Sequence, residues 1–182
     1  MERAGILRFF TAIILMTLAL LLAALPEPVY ETVSAFQPLL FLVLLISILC
    51  SWFYGLLSAL LLPFLISFIR TGNIELTAFA ADMAVYSVSA LMAGITYRAF
   101  GSPLISCVLA VIAGRAALAI YRILVSYFGG ITYTLPDFFA EGVMDVLPGL
   151  VLALLLPPLL MLVLNRTGVA DRLKSAPRDA LF

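Results

Sequence analysis

The chain has 182 residues, of which 65% are hydrophobic and only 11% are charged, and its formal net charge is zero. Soluble proteins carry about 45–50% apolar and about 25% charged residues, so one soluble domain of this size could not bury so much apolar surface. The composition excludes an ordinary soluble enzyme, a disordered chain and a nucleic-acid-binding protein. It predicts an all-α integral membrane protein. Because the sequence has no histidine, a histidine-based metal site or proton relay is excluded. We also expect no cofactor.

The apolar runs predict six membrane-spanning helices, at residues 9–25, 38–51, 53–69, 77–97, 104–128 and 142–164. The first run follows Arg3 and Arg8, as a signal peptide would. Its apolar core of about 17 residues exceeds the usual signal-peptide core of about 7–15, so we interpret it as an uncleaved span. Residues 38–69 would form one straight helix of about 48 Å, too long for a bilayer core of about 30 Å. We therefore predict a break near Ser51–Gly55.

The distribution of basic residues predicts that both termini are cytoplasmic. Basic side chains precede the first span, separate the fourth from the fifth and follow the sixth: Arg3, Arg8, Arg98, Arg166, Arg172, Lys174 and Arg178. The positive-inside rule places these residues in the cytoplasm, which requires an even number of crossings. Six spans satisfy this requirement. Four crossings also satisfy it, if residues 38–69 form a re-entrant hairpin.

Four ionisable residues fall inside the predicted spans: Asp82, Arg115, Arg122 and Asp145. Such residues are costly in a bilayer and usually face the protein interior. Tyr86 follows Asp82 by one helical turn, so the two share a face. Arg115 lies two turns deeper than Arg122, close to the predicted midplane.

These acids and arginines gather in the outer half of the last three spans, where they resemble the wall of a pocket open to the outside. Glu141 and Asp145 begin the sixth span, where the helix dipole favours acids, and Asn73 lies on the loop above. Alternatively, Asp82 or Asp145 pairs with Arg122 only to fix helix packing. Arg115 either reaches one of these acids or awaits an anionic ligand group, because arginine binds carboxylates in a bidentate manner.

Two further observations concern partners and catalysis. Ala19 and Ala23 form a small-xxx-small pair on the first span, which would let another helix approach closely. The sequence has no Walker loop, no HExxH motif and no serine–histidine or cysteine–histidine set. If the protein takes part in active transport, a partner must therefore supply the energy.

The order of the motifs resembles that of the substrate-binding S components of energy-coupling factor (ECF) transporters, which are bacterial membrane proteins of six helices. The resemblance extends from about residue 10 to 167 and is carried by Pro38-Leu39-Leu40, Trp52-Phe53-Tyr54-Gly55-Leu56-Leu57, Pro63, Asp82, Tyr86, Gly94, Tyr97-Arg98, Ala113-Gly114-Arg115 and Leu147-Pro148-Gly149. The sequence departs from the family at the turn near Trp52, which lacks Gly-Pro-Lys. Residues 70–76 also lack the Gly-Met-Pro-Pro of similar proteins.

The resemblance implies a receptor in the bacterial plasma membrane that binds a vitamin or related micronutrient at its outer side. The candidate substrate-binding residues are those gathered in the outer half: Asp82, Tyr86, Arg115, Arg122, Glu141, Asp145 and Asn73. Three of them, Asp82, Tyr86 and Arg115, also lie in the matching motifs. Ala19 and Ala23 would dock on a transmembrane coupling protein of the EcfT type. Two ATP-binding-cassette (ABC) ATPases would hydrolyse ATP, so the chain would not itself be an enzyme.

Two other hypotheses stand beside this one. The first is a membrane scaffold resembling the rod-shape protein MreD, which has a similar size and hydropathy and binds no small molecule. The second is an intramembrane enzyme that uses Asp82 or Asp145. A water-accessible pocket containing Arg115 would favour the receptor, whereas satisfied ion pairs without a cavity would favour the scaffold.

Overall fold

The computed structural model describes residues 2–34, 36–72, 76–129, 147–166 and 168, and the regular structure in these ranges is entirely helical. Seven helices follow one another in the described residues: α1 (Glu2–Ala23), α2 (Glu27–Ser34), α3 (Pro38–Leu49), α4 (Trp52–Thr71), α5 (Leu76–Phe100), α6 (Pro103–Gly129) and α7 (Leu147–Arg166). The all-α fold class predicted from composition is therefore confirmed.

Four of the described helices are long and apolar enough to cross a membrane: α1 from residue 5 onward, α4, α5 and α6. They lie close to four of the predicted spans. The α2–α3 pair, bent by 59°, would make a fifth crossing if it counts as one broken span, and in α7 the apolar stretch is the shorter Ala153–Arg166. The protein is thus a multi-pass membrane protein by helix length and composition. Six crossings and cytoplasmic termini stay predictions.

The break predicted near Ser51–Gly55 lies between α3 and α4. Helix α3 ends at Leu49, and the Ser51 side chain accepts a hydrogen bond from the Phe53 backbone N–H at 3.1 Å, which caps the start of α4. Helix α3 has 12 residues, and a helix of that length extends only about 18 Å. It does not match the thickness of a bilayer core by itself.

Helix α3 is the centre of the bundle. It packs against α1, α4, α5 and α7, and nine of its residues are buried: Leu40, Leu42, Val43, Leu44, Leu45, Ile46, Ser47, Ile48 and Leu49. A helix that is apolar on all sides requires neighbours on all sides. The longest pairing in the bundle is between α5 and α6.

Small residues allow the helices around α3 to approach at backbone distance. A Cβ atom added at Gly55 would lie 2.6 Å from the Cβ of Ser47, and one added at Gly94 would overlap Trp52. The Ser47 hydroxyl donates to the Ala90 carbonyl at 2.5 Å, joining α3 to α5. Such close crossings are typical of membrane helices, because packing and interhelical hydrogen bonds replace the hydrophobic effect there.

Candidate functional site

A cavity of about 200 Å³ lies at the end of the bundle where α1 and α4 end and α3 and α5 begin. Six of its lining residues are polar: Tyr30, Ser34, Gln37, Ser67, Asp82 and Tyr86. The remaining lining residues are apolar and come from α1 to α4. We call this space the polar cavity. A small concave site with apolar walls and a few convergent polar groups is the usual form of a ligand site.

Gln37 forms one wall of the polar cavity in an unusual backbone conformation. It lies in the left-handed region, with φ 50° and ψ 50°, and is the only non-glycine residue with positive φ in the described ranges. A residue before proline normally adopts an extended conformation, and Pro38 begins α3 directly after it. Strained residues of this kind persist only where their surroundings hold them, and they cluster at functional sites.

Arg115 of α6 holds the side chain of Gln37. Its Nη2 atom donates a hydrogen bond to Gln37 Oε1 at 3.1 Å. Because a guanidinium only donates, this contact fixes which end of the Gln37 amide faces Arg115 and leaves the amide N–H₂ group able to donate to another acceptor. The Nε atom of Arg115 is buried without an acceptor among the described residues.

Of the two alternatives for Arg115, an ion pair with Asp82 does not occur, since its described side-chain partner is the neutral Gln37. Asp145 lies outside the described residues. Asp82 likewise forms no ion pair with any described residue, so the predicted packing pair with Arg122 is absent. The electrostatic neighbours of Arg115 are Tyr86 and Arg122. Neither arginine lines the polar cavity.

Asp82 and Tyr86 lie together on the cavity face of α5, as their spacing predicted. Asp82 is accessible in the cavity, whereas Tyr86 is partly buried against the core beneath it. Asp82 and Tyr30 are both electrostatic neighbours of Tyr86. These three side chains therefore form one polar group on α2 and α5.

The wall of the polar cavity differs from the predicted one. The sequence indicated a pocket between the last three spans, but the described cavity lies among α1 to α5 and does not involve α6 directly. Arg115 contacts this wall only through its hydrogen bond to Gln37, which itself lines the cavity. Asn73, Glu141 and Asp145 lie outside the described residues.

Ala19 and Ala23 do not form an accessible docking surface. Their exposed fractions are 0% and 1%, and both pack in a core cluster with residues of α3, α4 and α5. The expectation that they dock a partner does not fit this structure, because the small-xxx-small face is already occupied by helices of the same chain. The exposed face of α1 carries larger side chains, including Ile14 and Leu21.

Arg70 lies beside the polar cavity, against the ring of Tyr30, and the sequence did not predict this role. Its Nη1 atom donates to the carbonyls of Leu25 at 3.1 Å and Ala23 at 3.4 Å, which satisfies the end of α1. Its guanidinium lies 4.1 Å from the centre of the Tyr30 ring, and Nη2 lies 3.3 Å from a carboxylate oxygen of Glu27. One signal was present in the sequence: Arg70 is the only basic residue in the segments predicted to lie outside.

Gln37, Tyr30, Ser34 and Ser67 are the cavity residues that sequence reasoning missed. Gln37 had a detectable signal, since it is the last polar residue before the apolar run that begins at Pro38. The other three had none, because a tyrosine or serine near a helix end is common on any protein surface. No group of three acidic or cysteine side chains that could hold a metal ion occurs in the part of the chain that the structure describes.

The fold and the polar cavity define the protein as a helical, multi-pass membrane protein with a small site at one end of its bundle. No protein-family model, no curated protein and no solved structure matches the chain.

Proposed function

We propose that the chain is the substrate-binding S component of an ECF-type importer and that the polar cavity is its substrate site. The observation that carries this proposal is an accessible cavity with the strained Gln37 turn in its wall. Arg115 does not line this cavity, in contrast to the pocket that the sequence predicted, and contacts its wall only through the hydrogen bond to Gln37. A scaffold needs neither a cavity nor a strained residue facing it. A receptor gains from both, because a fixed amide loses little freedom when it binds a ligand.

The position of the polar cavity supports uptake from outside the cell. It lies where α1 ends, and the positive-inside rule assigns that end of the bundle to the outer face. In this proposal the protein resides in a bacterial plasma membrane with six crossings. A transmembrane coupling protein and two ABC ATPases supply the energy.

The size of the cavity restricts the substrate. About 200 Å³ is below the roughly 300 Å³ at which typical ligand pockets begin. The described walls therefore favour a small vitamin-like molecule over a large one.

The docking surface for the coupling protein has to be sought away from Ala19 and Ala23, because both side chains are buried. An exposed membrane-facing side of α1 is available instead, and Ile14 there is 65% exposed. The partner assignment itself rests on the family resemblance.

Native mass spectrometry of the protein purified gently from its own membranes tests the proposal. The wild type is expected to carry a bound small molecule and to purify with two ATPases and a membrane coupling subunit. A Ser67→Phe substitution fills the polar cavity and should remove the bound mass. Leu61→Phe is the matched control, because Leu61 is exposed on the same helix and does not line the cavity.

Two results would contradict the receptor assignment. One is a bound mass that persists unchanged in Ser67→Phe. The other is purification with cell-wall or cell-shape proteins and no small molecule, which would favour the scaffold.

A further inference from the structure

We infer that the polar cavity binds a small organic cation, with its ammonium group against Asp82. This inference rests on the proposed function and names the chemical class of the substrate. The two arginines of α6 suggested a negatively charged ligand. The inference is the opposite, a positively charged ligand, because Asp82 lines the cavity and neither arginine does.

The charge of the cavity wall carries the argument. Asp82 is the only acidic residue among the described residues that line the cavity, and no lysine or arginine is among them. Asp82 has no ion-pair partner in the described ranges. A carboxylate at membrane depth is costly unless a counter-charge or water reaches it. A cationic ligand group supplies that counter-charge, whereas a carboxylate ligand would be repelled.

The nearby arginines do not neutralise Asp82. Arg115 donates to Gln37 and does not itself line the cavity. Arg70 is engaged with the Leu25 carbonyl, with Glu27 and with the ring of Tyr30. Neither guanidinium group pairs with Asp82 or lines the cavity, so Asp82 is the charged side chain that a ligand contacts directly among the described lining residues.

The aromatic and amide groups of the wall suit the same ligand class. The Arg70 guanidinium already lies 4.1 Å from the centre of the Tyr30 ring, so the ammonium group of a ligand is expected away from that ring, beside Asp82. Tyr86 adds a second ring to the wall, and cations are favoured near such rings. The Gln37 amide N–H₂ group is available to donate, because its oxygen accepts from Arg115. A ligand with an ammonium group and a nearby hydroxyl or carbonyl oxygen could place the ammonium group against Asp82 and accept a hydrogen bond from the Gln37 amide with its oxygen.

The test compares probes that share a shape and differ in charge. Choline is the cationic probe, 3,3-dimethylbutan-1-ol is its neutral isostere and 3,3-dimethylbutanoate is the anionic one. Thermal unfolding of the full chain in detergent is followed during titration with each compound, since a ligand that binds only the folded state raises the midpoint. Methylammonium and agmatine extend the cationic set to smaller and longer molecules.

At least one of the three cations is expected to stabilise the protein saturably, and choline should bind at least tenfold more tightly than either isostere. Asp82→Asn should weaken cation binding at least tenfold. Asp82→Glu should retain most of it, because the charge is kept. Glu31→Gln is the control, because Glu31 is an exposed acid of α2 that does not line the cavity. The affinity of Glu31→Gln for the cation should stay within twofold of the wild-type value.

Failure of this inference is distinguishable from failure of the proposed function. No stabilisation by any of the three cations, or equal binding of the neutral or anionic isostere, overturns the cation assignment. Unchanged cation affinity in Asp82→Asn does so as well. The receptor assignment survives each of these results if a bound mass is lost in Ser67→Phe. If Asp82→Asn does not fold, the comparison of choline with its isosteres on the wild type still decides whether the cavity prefers a cation.

Discussion

Arg115 on α6 donates a hydrogen bond from Nη2 to Oε1 of Gln37, 78 residues away in the chain, at 3.1 Å. The same Gln37 has a positive φ of 50° directly before Pro38. Gln37 therefore makes two opposing contributions to the stability of the fold. The left-handed backbone is unfavourable for a residue with a Cβ atom, and the charge-assisted hydrogen bond offsets that cost.

Replacement of Gln37 by glycine removes both the backbone penalty and the hydrogen bond, so its effect on stability is the difference between them. Glycine adopts the left-handed conformation without the Cβ penalty, which is worth about 1 kcal/mol, but it removes the acceptor of Arg115, which costs about 1.5–3 kcal/mol. We expect Gln37→Gly to lower the free energy of unfolding by about 0.5–2 kcal/mol. Reversible unfolding in mixed detergent micelles measures this change.

A double-mutant cycle supplies the control. In an Arg115→Met background the hydrogen bond is already absent, so Gln37→Gly should now stabilise the protein by about 1 kcal/mol. A reversal of sign between the two backgrounds is the specific expectation. The same destabilisation in both would mean that the Arg115–Gln37 contact contributes nothing to stability.

Much of the helical framework is predictable from this sequence, because hydrophobic run length and turn residues encode it directly. The helix break between residues 49 and 52 is an example, since the serine that caps α4 lies at the predicted break. The start of α3 at Pro38 also coincides with the predicted start of a span. The number of crossings is less accessible, because α3 is shorter than a bilayer core requires and the length of an apolar run does not show whether so short a helix crosses the membrane.

The candidate site was predictable only in part, for a physical reason. Helical periodicity places Asp82 and Tyr86 on one face, because both belong to the same helix. It cannot place Gln37 beside Arg115, because that contact depends on how deeply a turn enters the bundle. Nor could it show that the small residues Ala19 and Ala23 face other helices of the same chain, since a small face is equally suited to packing and to docking.

Arg70 and Glu27 provide a comparison between a capping contact and a surface ion pair. The Arg70 side chain is 17% exposed and donates to two carbonyls at the end of α1, whereas the Glu27 side chain is 77% exposed. Exposed ion pairs contribute little, so Glu27→Gln should change the free energy of unfolding by less than about 0.5 kcal/mol. Arg70→Met should lower it by about 1–3 kcal/mol, because buried carbonyls lose their donor.

Thermal and denaturant unfolding of the two variants at low and high salt checks this ranking. The effect of Arg70→Met should persist at high salt, since it reflects hydrogen bonding more than charge attraction. If Glu27→Gln were as destabilising as Arg70→Met, the ion pair would be the main contribution and the capping argument would be wrong.

Gly114 lies where α5 and α6 touch, one residue before Arg115. A Cβ atom added there would overlap the Ser89 hydroxyl and lie 3.1 Å from the Val85 carbonyl oxygen. Gly114→Ala should therefore destabilise the protein by about 1–3 kcal/mol through overpacking. Unfolding measurements should show partial recovery in Gly114→Ala with Ser89→Ala, because the hydroxyl is removed and the backbone contact stays.

Gly5 on α1 is the matched control for that substitution. No atom lies within 4 Å of a Cβ added at Gly5, so Gly5→Ala should stabilise the helix by roughly 0.5–1 kcal/mol. Destabilisation of similar size at both glycines would show that the α5–α6 contact is not the cause.

Ala19 tests whether the small face of α1 serves folding or docking. Its exposed fraction is 0% and it packs in a cluster that includes Leu42 and Ala90, so Ala19→Trp should lower stability by about 3 kcal/mol or more. Ile14→Trp is the control, because Ile14 is 65% exposed on the same helix and a larger apolar group is accommodated by lipid or detergent. Size-exclusion profiles and thermal midpoints in detergent measure both variants. A normal midpoint in Ala19→Trp, with loss only of assembly with a coupling protein, would instead restore the docking role, because it would require that the α1 face opens to a partner.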